Sequence, residues 1–364
     1  MITGHGGDIR SLARRLGCAP EEILDASSNM NPFGPPPGLL DHLRDRLADI
    51  RFLPDAAAAS AIRDFIRHHE LDKAIAVLPG NGTTQLIHAL PLALRARRAL
   101  IMGPTYADYA DACAAAGTSV EYLMARPEDG FQPNADAMAR RLSASPPIDL
   151  VFICNPNNPT GQVMARRRLE KLVGTFPQIR FIIDESYLAF MPDAGSVRMM
   201  DAAAANLGVL HSMSKIFRVP GLRIGFLAAG NDIAGPMAPH IQPWCLSAPA
   251  QAAVSFLCGP ASAAAGFIRS SAANLRREHD AVSATLAAIP EVTAFPSAAP
   301  FLLIRLPAGI RSGMVCKKMA AAGILVRDCA NFTGLSDAYI RISLKTPPEN
   351  QRILGTLSPV LSSF

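Results

Sequence analysis

The segment His211–Arg223 reads HSMSKIFRVPGLR, and no other segment says as much about the architecture of this chain. Lys215 lies between Ser212 and Ser214, and Arg223 follows eight positions later (223 − 215). A lysine amine can form a Schiff base with an aldehyde, while serine hydroxyls and a guanidinium fork bind phosphate. The pattern therefore predicts a lysine bound to a phosphorylated aldehyde such as pyridoxal 5′-phosphate. An exposed lysine in a polar loop is the alternative, which so short a motif does not exclude.

Two upstream segments combine an apolar run with a turn rich in glycine or asparagine. Ala74–Leu78 leads into Pro79–Gln85 (PGNGTTQ), a pattern typical of a strand, a turn and the start of a helix. Backbone N–H groups at a helix N-terminus, together with threonine hydroxyls, bind anions. Leu150–Cys154 leads into Asn155–Gly161 (NPNNPTG), where an asparagine amide can donate to the phenolate oxygen O3′ of the cofactor. Ordinary turn chemistry is the alternative in both places, since Gly, Asn and Pro dominate turns.

A third segment ends an apolar run in an acid. Phe181–Ile183 is followed by Asp184, and then by Glu185, Ser186 and Tyr187. Carboxylates are seldom buried without a partner, and a protonated pyridine nitrogen is a suitable partner. This pairing keeps the ring cationic and able to accept electrons. A solvated acid after a strand is the alternative.

Apolar runs alternate with amphipathic helical patterns from about residue 50 to residue 245. The alternation predicts an α/β fold with a mostly parallel sheet covered by helices on both faces. The strands predicted for this sheet are Ala74–Leu78, Ala99–Met102, Ser119–Leu123, Leu150–Cys154, Phe181–Asp184, Gly208–His211 and Ile224–Ala229.

The rest of the chain predicts a smaller α+β domain. Residues 250–286 predict one or two long helices, and residues 1–49 an arm with part of the small domain. We expect a large cofactor-binding domain over 50–245, and an interdomain helix with the small C-terminal domain over 246–364. The later predicted strands are Val292–Phe295, Phe301–Arg305, Ile324–Arg327 and Tyr339–Ser343.

Composition excludes several classes of protein. The 364 residues are 49% hydrophobic and 18% charged, which suits large buried cores. Lys and Arg form no long basic stripe and the net charge is only +5, so nucleic-acid binding is not expected. No apolar run reaches the ~20 residues of a membrane span, and the amino terminus lacks the layout of a signal peptide. The seven cysteines are scattered without C-x-x-C spacing. We therefore expect a cytoplasmic protein with free thiols and no metal site.

Together the motifs carry a resemblance that extends over essentially the whole chain. The chain resembles the fold-type I, aspartate-aminotransferase-like enzymes that use pyridoxal phosphate, with a large domain around a mostly parallel seven-stranded sheet and a smaller α+β domain. Among them it is most similar to the histidinol-phosphate aminotransferase branch, and there to the L-threonine-O-3-phosphate decarboxylases of cobalamin biosynthesis. The general motifs are Asn155–Gly161, Asp184–Tyr187 and Ser212–Arg223. The narrower resemblance depends on Gly4–Ile9, Asn29–Gly34, Gln242–Trp244 and Arg327–Leu335.

The resemblance implies roles for individual residues toward the cofactor. Lys215 is the Schiff-base lysine and proton shuttle, and Asp184 pairs with the pyridine nitrogen. Asn158 and Tyr187 hold O3′, and Tyr106 stacks on the ring. The cofactor phosphate is expected to contact Gly82, Thr83, Ser212 and Arg223, with Ser214 as a further cofactor ligand.

The resemblance also implies the reaction. We expect a carbon–carbon lyase that decarboxylates L-threonine O-3-phosphate to (R)-1-aminopropan-2-yl phosphate, with a histidinol-phosphate-type aminotransferase as the alternative. A cofactor-binding module without activity is a third reading, disfavoured because the lysine, aspartate and arginine of the motifs are all present. Arg341 is expected to bind a substrate carboxylate or phosphate, and Arg327 and His5 the substrate phosphate. Asn31 is a further expected substrate contact.

Enzymes of this fold usually complete each active site with a second subunit, which implies a homodimer whose Phe52–Pro54 segment approaches the partner's cofactor. Two departures from the family pattern lie at contact positions. Leu53 stands where the family often has a tyrosine, and Ala299-Pro300 stands near the strand Phe301–Ile304, where it tends to have an asparagine. Contacts in these two places are therefore expected to differ.

Overall fold

The computed structural model of the protein describes residues 6–362. The strands in this part of the chain are β1 (Leu24–Asp25), β2 (Ala76–Asn81), β3 (Arg98–Gly103), β4 (Ser119–Met124), β5 (Leu150–Cys154), β6 (Arg180–Asp184), β7 (Leu207–Ser212), β8 (Ile224–Ala229), β9 (Thr293–Ala294), β10 (Phe301–Arg305), β11 (Ile324–Leu325), β12 (Arg327–Asp328) and β13 (Tyr339–Ser343). The α-helices are α1 (Ile9–Leu16), α2 (Leu39–Asp45), α3 (Ala59–His69), α4 (Gly82–Ala93), α5 (Asp108–Ala115), α6 (Ala135–Leu142), α7 (Arg166–Thr175), α8 (Met213–Ile216), α9 (Asn231–Met237), α10 (Ala248–Cys258), α11 (Ala264–Ala287), α12 (Ser312–Ala321) and α13 (Pro347–Ser362).

The large sheet has the strand order β2-β8-β7-β6-β5-β3-β4. Its central pairs are parallel, while β8 is antiparallel to both neighbours, β2 and β7. Only residues 213–223 connect β7 to β8, and a parallel connection needs a crossover of about a dozen residues or more. The short connection therefore forces β8 to run in the reverse direction. The predicted mostly parallel seven-stranded sheet is confirmed.

The inner strands of this sheet are buried on both faces. Every residue of β5, β7 and β8 is buried, so these strands read as continuous apolar runs instead of alternating patterns. Phe152, Phe181 and Phe226 are among the largest fully buried side chains. Truncating such a phenylalanine to alanine costs about 3–5 kcal/mol. The sheet therefore holds its strand ends, where the polar residues lie, in fixed positions.

A smaller antiparallel sheet has the order β12-β13-β10-β9. The predicted strand Ile324–Arg327 is wrong as a single element, because β11 pairs with β1 while β12 pairs with β13. The predicted helical segment 250–286 is two helices, α10 and α11, separated at Gly259-Pro260. Proline has no backbone N–H and ends a helical hydrogen-bond pattern.

The amino-terminal segment forms a separate two-stranded sheet with β11, bonds to the end of β13 and then reaches the large sheet. β1 pairs in parallel with β11, and Ser343 N donates to Ala26 O at 2.8 Å. The chain then continues over residues 27–31 to the carboxyl edge of the large sheet, where Asn31 N donates to Lys215 O at 3.0 Å. The domain boundaries themselves stay a prediction. Among the described residues, no helix is both long and apolar enough to cross a bilayer.

Candidate active site

A cavity of about 150 Å³ lies at the carboxyl edge of the large sheet. It gathers all ten predicted cofactor residues from five separate segments of the chain. They are Gly82, Thr83, Tyr106, Asn158, Asp184, Tyr187, Ser212, Ser214, Lys215 and Arg223. Six further residues complete the lining, namely Met30, Thr84, Tyr109, Cys154, Ser186 and Pro220.

Strand direction explains why these residues meet. Asp184 ends β6 and Ser212 ends β7, and these strands are parallel neighbours. Asn158 follows the end of β5, and Gly82 follows the end of β2. In open α/β sheets ligands bind at the carboxyl ends of the strands. Because the connection after β7 is short, it keeps Lys215 at this same edge.

One corner of the cavity has the donors that a phosphate needs. Gly82 begins α4 with a φ of 71°, and a Cβ atom there would overlap the guanidinium of Arg223. Gly82 N also donates to Arg223 O at 2.9 Å. The hydroxyl of Ser214 is buried and lacks a hydrogen-bond partner among the described residues. Backbone N–H groups at a helix start, hydroxyls and a guanidinium bind phosphate, so this corner fits one.

Lys215 lines the cavity and is half-buried. Burial, together with the Arg341 guanidinium, lowers the pKa of its amine to about 8, although the Asp184 carboxylate opposes this shift. Since only the neutral amine is a nucleophile, the lowered pKa increases the reactive fraction near neutral pH. The site therefore fits a lysine that forms a covalent link with an aldehyde.

Asp184 is buried and has a donor on each carboxylate oxygen. Ser186 N donates to Oδ1 at 2.9 Å, and the Tyr109 hydroxyl donates to Oδ2 at 2.8 Å. Burial raises the pKa of Asp184, while these hydrogen bonds and the nearby Lys215 act in the opposite direction. A buried carboxylate supported in this way fits a cationic partner such as a pyridinium.

Tyr187 and Asn158 are each oriented by a neighbour. Arg341 Nη1 donates to the Asn158 side-chain oxygen, which leaves the amide nitrogen to donate elsewhere. Asn29 Nδ2 donates to the Tyr187 hydroxyl at 3.1 Å, and Ser343 Oγ donates to Asn29 Oδ1 at 2.8 Å. Since Tyr187 accepts from Asn29, its own proton is available for another acceptor. Both groups can therefore donate to a phenolate oxygen.

The two predicted substrate arginines face each other across neighbouring strands. Arg327 of β12 and Arg341 of β13 are register partners. Arg341 is buried, donates to Ser27 O at 2.6 Å and has an Nε without a partner among the described residues. Arg327 donates to Asn331 Oδ1 at 2.8 Å and is partly exposed. Neither lines the cavity itself, but Arg341 touches it through Asn158. Like charges directly opposite are destabilising, so this pair favours an anion.

Asn31 does not line the cavity, and its contact with the substrate stays a prediction. Its Nδ2 donates to Ile216 O at 2.8 Å and to Ser271 Oγ at 2.9 Å, and its Oδ1 accepts from Phe33 N at 3.1 Å. Asn31 is fully buried, and its bond to Ile216 O ties the loop to α8. The other predicted contact, His5, lies outside the described residues.

The two departures from the family pattern have distinct surroundings. Phe301, beside Pro300, packs edge-on against Tyr187 at 5.2 Å and lies 5.1 Å beneath the Arg341 guanidinium. This corner is therefore apolar where an amide was the family's tendency. Leu53 is 79% exposed and makes no contribution to the cavity of its own subunit.

Comparison with known proteins decides the family. Residues 21–357 match the family described as aminotransferase class I and II. The chain belongs to this family. A threonine-phosphate decarboxylase of Salmonella typhimurium is 32% identical over 367 aligned positions, covering 100% of this chain and 98% of that protein. A histidinol-phosphate aminotransferase of Methanococcus aeolicus is 24% identical, covering 98% of this chain and 95% of that protein.

Structural comparison agrees with this membership of the class I and II family. The crystal structure of L-threonine-O-3-phosphate decarboxylase from Porphyromonas gingivalis superposes with a TM-score of 0.82 at 28% identity, covering 94% of this chain and all of that one. The family's cofactor is pyridoxal 5′-phosphate. The partnerless Ser214 hydroxyl, the glycine turn under Arg223 and the buried Asp184 all fit it.

Sequence reasoning missed several residues at this site. Tyr109 lies three positions after Tyr106, in the first turn of α5, and its closeness in sequence to the predicted stacking tyrosine was the available signal. Asn29 lies in the same loop as Asn31, and only the fold decides which amide reaches the Tyr187 hydroxyl.

Proposed function

We propose that the protein decarboxylates L-threonine O-3-phosphate to (R)-1-aminopropan-2-yl phosphate, as a step of cobalamin biosynthesis. The facing pair Arg327 and Arg341 carries this proposal, since the substrate has a carboxylate and a phosphate and each anion needs a cationic partner. The likeness to a threonine-phosphate decarboxylase over the full chain supports it. The pathway follows from the resemblance of the sequence to decarboxylases of cobalamin biosynthesis.

The residues of the site divide the work. When bound, pyridoxal phosphate supplies a ring that accepts electrons from a bond broken at the substrate's α-carbon. Asp184 would hold the proton of the ring nitrogen, and the Asn158 amide and Tyr187 hydroxyl would hold O3′. Arg341 and Arg327 orient the two substrate anions. In a decarboxylation Lys215 returns a proton to the α-carbon after CO₂ has left, whereas in amino transfer it removes a proton from that carbon.

A histidinol-phosphate-type aminotransferase is the second candidate. The likeness to the Methanococcus aeolicus aminotransferase extends over nearly the whole chain, and the arginine pair suits a phosphorylated amine as well. The two reactions differ in the need for a keto-acid acceptor, because amino transfer stops without one.

The decisive test is incubation of the purified enzyme with L-threonine phosphate, with and without 2-oxoglutarate. We expect CO₂ release that does not depend on 2-oxoglutarate. A panel of phosphothreonine, phosphoserine, threonine and histidinol phosphate, measured separately for CO₂ and for amino transfer, then defines the substrate. Rapid amino transfer from histidinol phosphate without CO₂ from phosphothreonine would establish the second candidate instead.

We also propose that the protein is a homodimer. An exposed apolar segment, residues 47–53, supports this: Leu47 is 57% exposed, Ile50 59%, Phe52 66% and Leu53 79%. Trp244 is 49% exposed nearby, where its backbone N–H donates to Ala56 O at 2.9 Å. A cluster of exposed large apolar side chains marks an interaction surface. A second copy of the chain is the partner that the resemblance implies.

A further inference from the structure

Tyr109 is buried beside Asp184, and its ring is held on two sides. The side chain is 1% exposed. Its ring stacks on Phe152 of β5, with centroids 5.1 Å apart and planes 14° from parallel. The Tyr106 ring meets it edge-on at 5.8 Å and 84°. Packing of this kind leaves the Tyr109 hydroxyl one position, from which it donates to Asp184 Oδ2 at 2.8 Å.

Asp184 accepts hydrogen bonds from two residues, Ser186 and Tyr109. Each carboxylate oxygen accepts about two hydrogen bonds. Oδ1 has the Ser186 backbone N–H, and Oδ2 has the Tyr109 hydroxyl. Ser186 supports the carboxylate with both its side chain and its backbone N–H, two positions along the same segment. Tyr109 is the donor that reaches Asp184 from a different element, α5.

Burial works against a charge at Asp184. A buried carboxyl group without donors takes up a proton, and the neutral acid no longer forms an ion pair with a pyridinium. Tyr109 itself remains a donor, because burial raises the pKa of its phenol. The neighbouring thiol of Cys154 stays neutral for the same reason, since burial raises its pKa. Lys215 is the cation that opposes the burial of Asp184.

We propose that Tyr109 is a positioning residue whose hydroxyl keeps Asp184 ionised and aimed at the ring nitrogen of pyridoxal phosphate. The inference depends on the cofactor and not on the substrate, so it holds for a decarboxylase and for an aminotransferase alike. It also predicts that Tyr109 affects the ring nitrogen alone, and neither the phosphate corner nor the O3′ contacts.

The test uses two cofactors that differ at one atom. Apoprotein of the parent and of Tyr109→Phe is titrated with pyridoxal phosphate and with its 1-deaza analogue, in which carbon replaces the ring nitrogen. Hydrogen bonds to charged groups are worth about tenfold or more in binding. We expect Tyr109→Phe to bind pyridoxal phosphate about tenfold more weakly and the deaza analogue as the parent does.

Two further variants sharpen the result. Tyr122 lies on the edge strand β4, away from Asp184, and its hydroxyl bonds to Thr333. Tyr122→Phe removes that hydroxyl and should bind both cofactors like the parent. Tyr109→His restores a donor at the same place and should recover most of the lost affinity for pyridoxal phosphate. In the loaded enzyme, Tyr109→Phe should lower kcat about tenfold with little change in KM.

If Tyr109→Phe loses the same affinity for both cofactors, Tyr109 only supports packing. If it loses affinity for neither, Tyr109 has no role at the ring nitrogen. A Tyr109→His variant as weak as Tyr109→Phe would also overturn the proposal. The binding measurement contains no substrate. Its failure would therefore leave the choice between decarboxylation and amino transfer untouched.

Discussion

At the scale of single residues, the lowered pKa of Lys215 has a direct consequence for cofactor loading. Burial and Arg341 lower the pKa of the amine to about 8, so its nucleophilic form predominates above that pH and disappears below it. We expect the rate of covalent loading of the apoprotein to rise with pH and level off above about 8, whereas an ordinary lysine would keep gaining up to about pH 10. Absorbance measured after mixing with pyridoxal phosphate gives this profile. Lys215→Ala should form no borohydride-stable link, and a link mapped by mass spectrometry to another lysine would contradict the assignment.

Asp184 supplies the second prediction at this scale. Asp184→Asn keeps the shape of the side chain but removes the charge that holds the ring nitrogen protonated. We expect the variant to bind cofactor and to lose activity by on the order of a hundredfold or more. Turnover is measured at saturating cofactor, so that weaker binding does not contribute. Near-normal turnover would remove Asp184 from the mechanism.

The third prediction at this scale concerns the facing arginines, Arg327 and Arg341. Arg341→Ala and Arg327→Ala should each raise KM for phosphothreonine roughly tenfold to a hundredfold, because each removes a charge-assisted hydrogen bond to an anion. Arg305→Ala is a matched control, since Arg305 is exposed on β10 and bonds to Thr293. Steady-state kinetics of the three variants decide the matter. Equal KM values for Arg327→Ala and Arg305→Ala would separate Arg327 from the substrate.

At the scale of elements, the start of α4 and the end of the β7–β8 connection form one unit. Gly82 has a φ of 71°, and the Arg223 guanidinium occupies the space that a Cβ atom on residue 82 would need. Gly82→Ala should therefore weaken cofactor binding by about tenfold, through backbone strain and displacement of the guanidinium. Gly174→Ala in α7 meets nothing within 4 Å and should leave the affinity unchanged. Titration of both apoproteins provides the comparison, and equal affinities would separate Arg223 from the phosphate.

Elements also show how far the sequence alone reaches. The strands of the large sheet were predictable because burial on both faces produces continuous apolar runs, and Leu150–Cys154 and Ile224–Ala229 agree with the observed strands residue for residue. The reversal of β8 and the division of Ile324–Arg327 between two partners depend on tertiary pairing. The same holds at the site. Asp184 and Lys215 stand in local motifs, whereas Asn29 is matched with Tyr187 across 158 positions of chain.

At the scale of the whole molecule, the exposed apolar segment over residues 47–53 predicts the assembly. Leu53→Asp should dissociate a dimer, because it buries a charge in an apolar interface. Leu92→Asp is a control at a similarly exposed position on α4. Sedimentation velocity distinguishes monomer from dimer in both variants. A parent protein that sediments as a fully active monomer would contradict the proposed assembly.

The hydrogen bonds that join residues 26–29 to β13 and the residues after it limit how this protein can be re-engineered. Arg341, Ser343 and Lys345 bond in turn to Ser27 O, Asn29 Oδ1 and Ser28 O. Two segments more than 300 positions apart therefore behave as one cassette, and Asn29 links it to Tyr187. A chimera that exchanges the carboxy-terminal sheet between relatives loses the fit of these hydrogen bonds unless the amino-terminal segment is exchanged with it. Transfer of a relative's substrate preference to this protein thus requires exchange of both the amino-terminal and the carboxy-terminal segments.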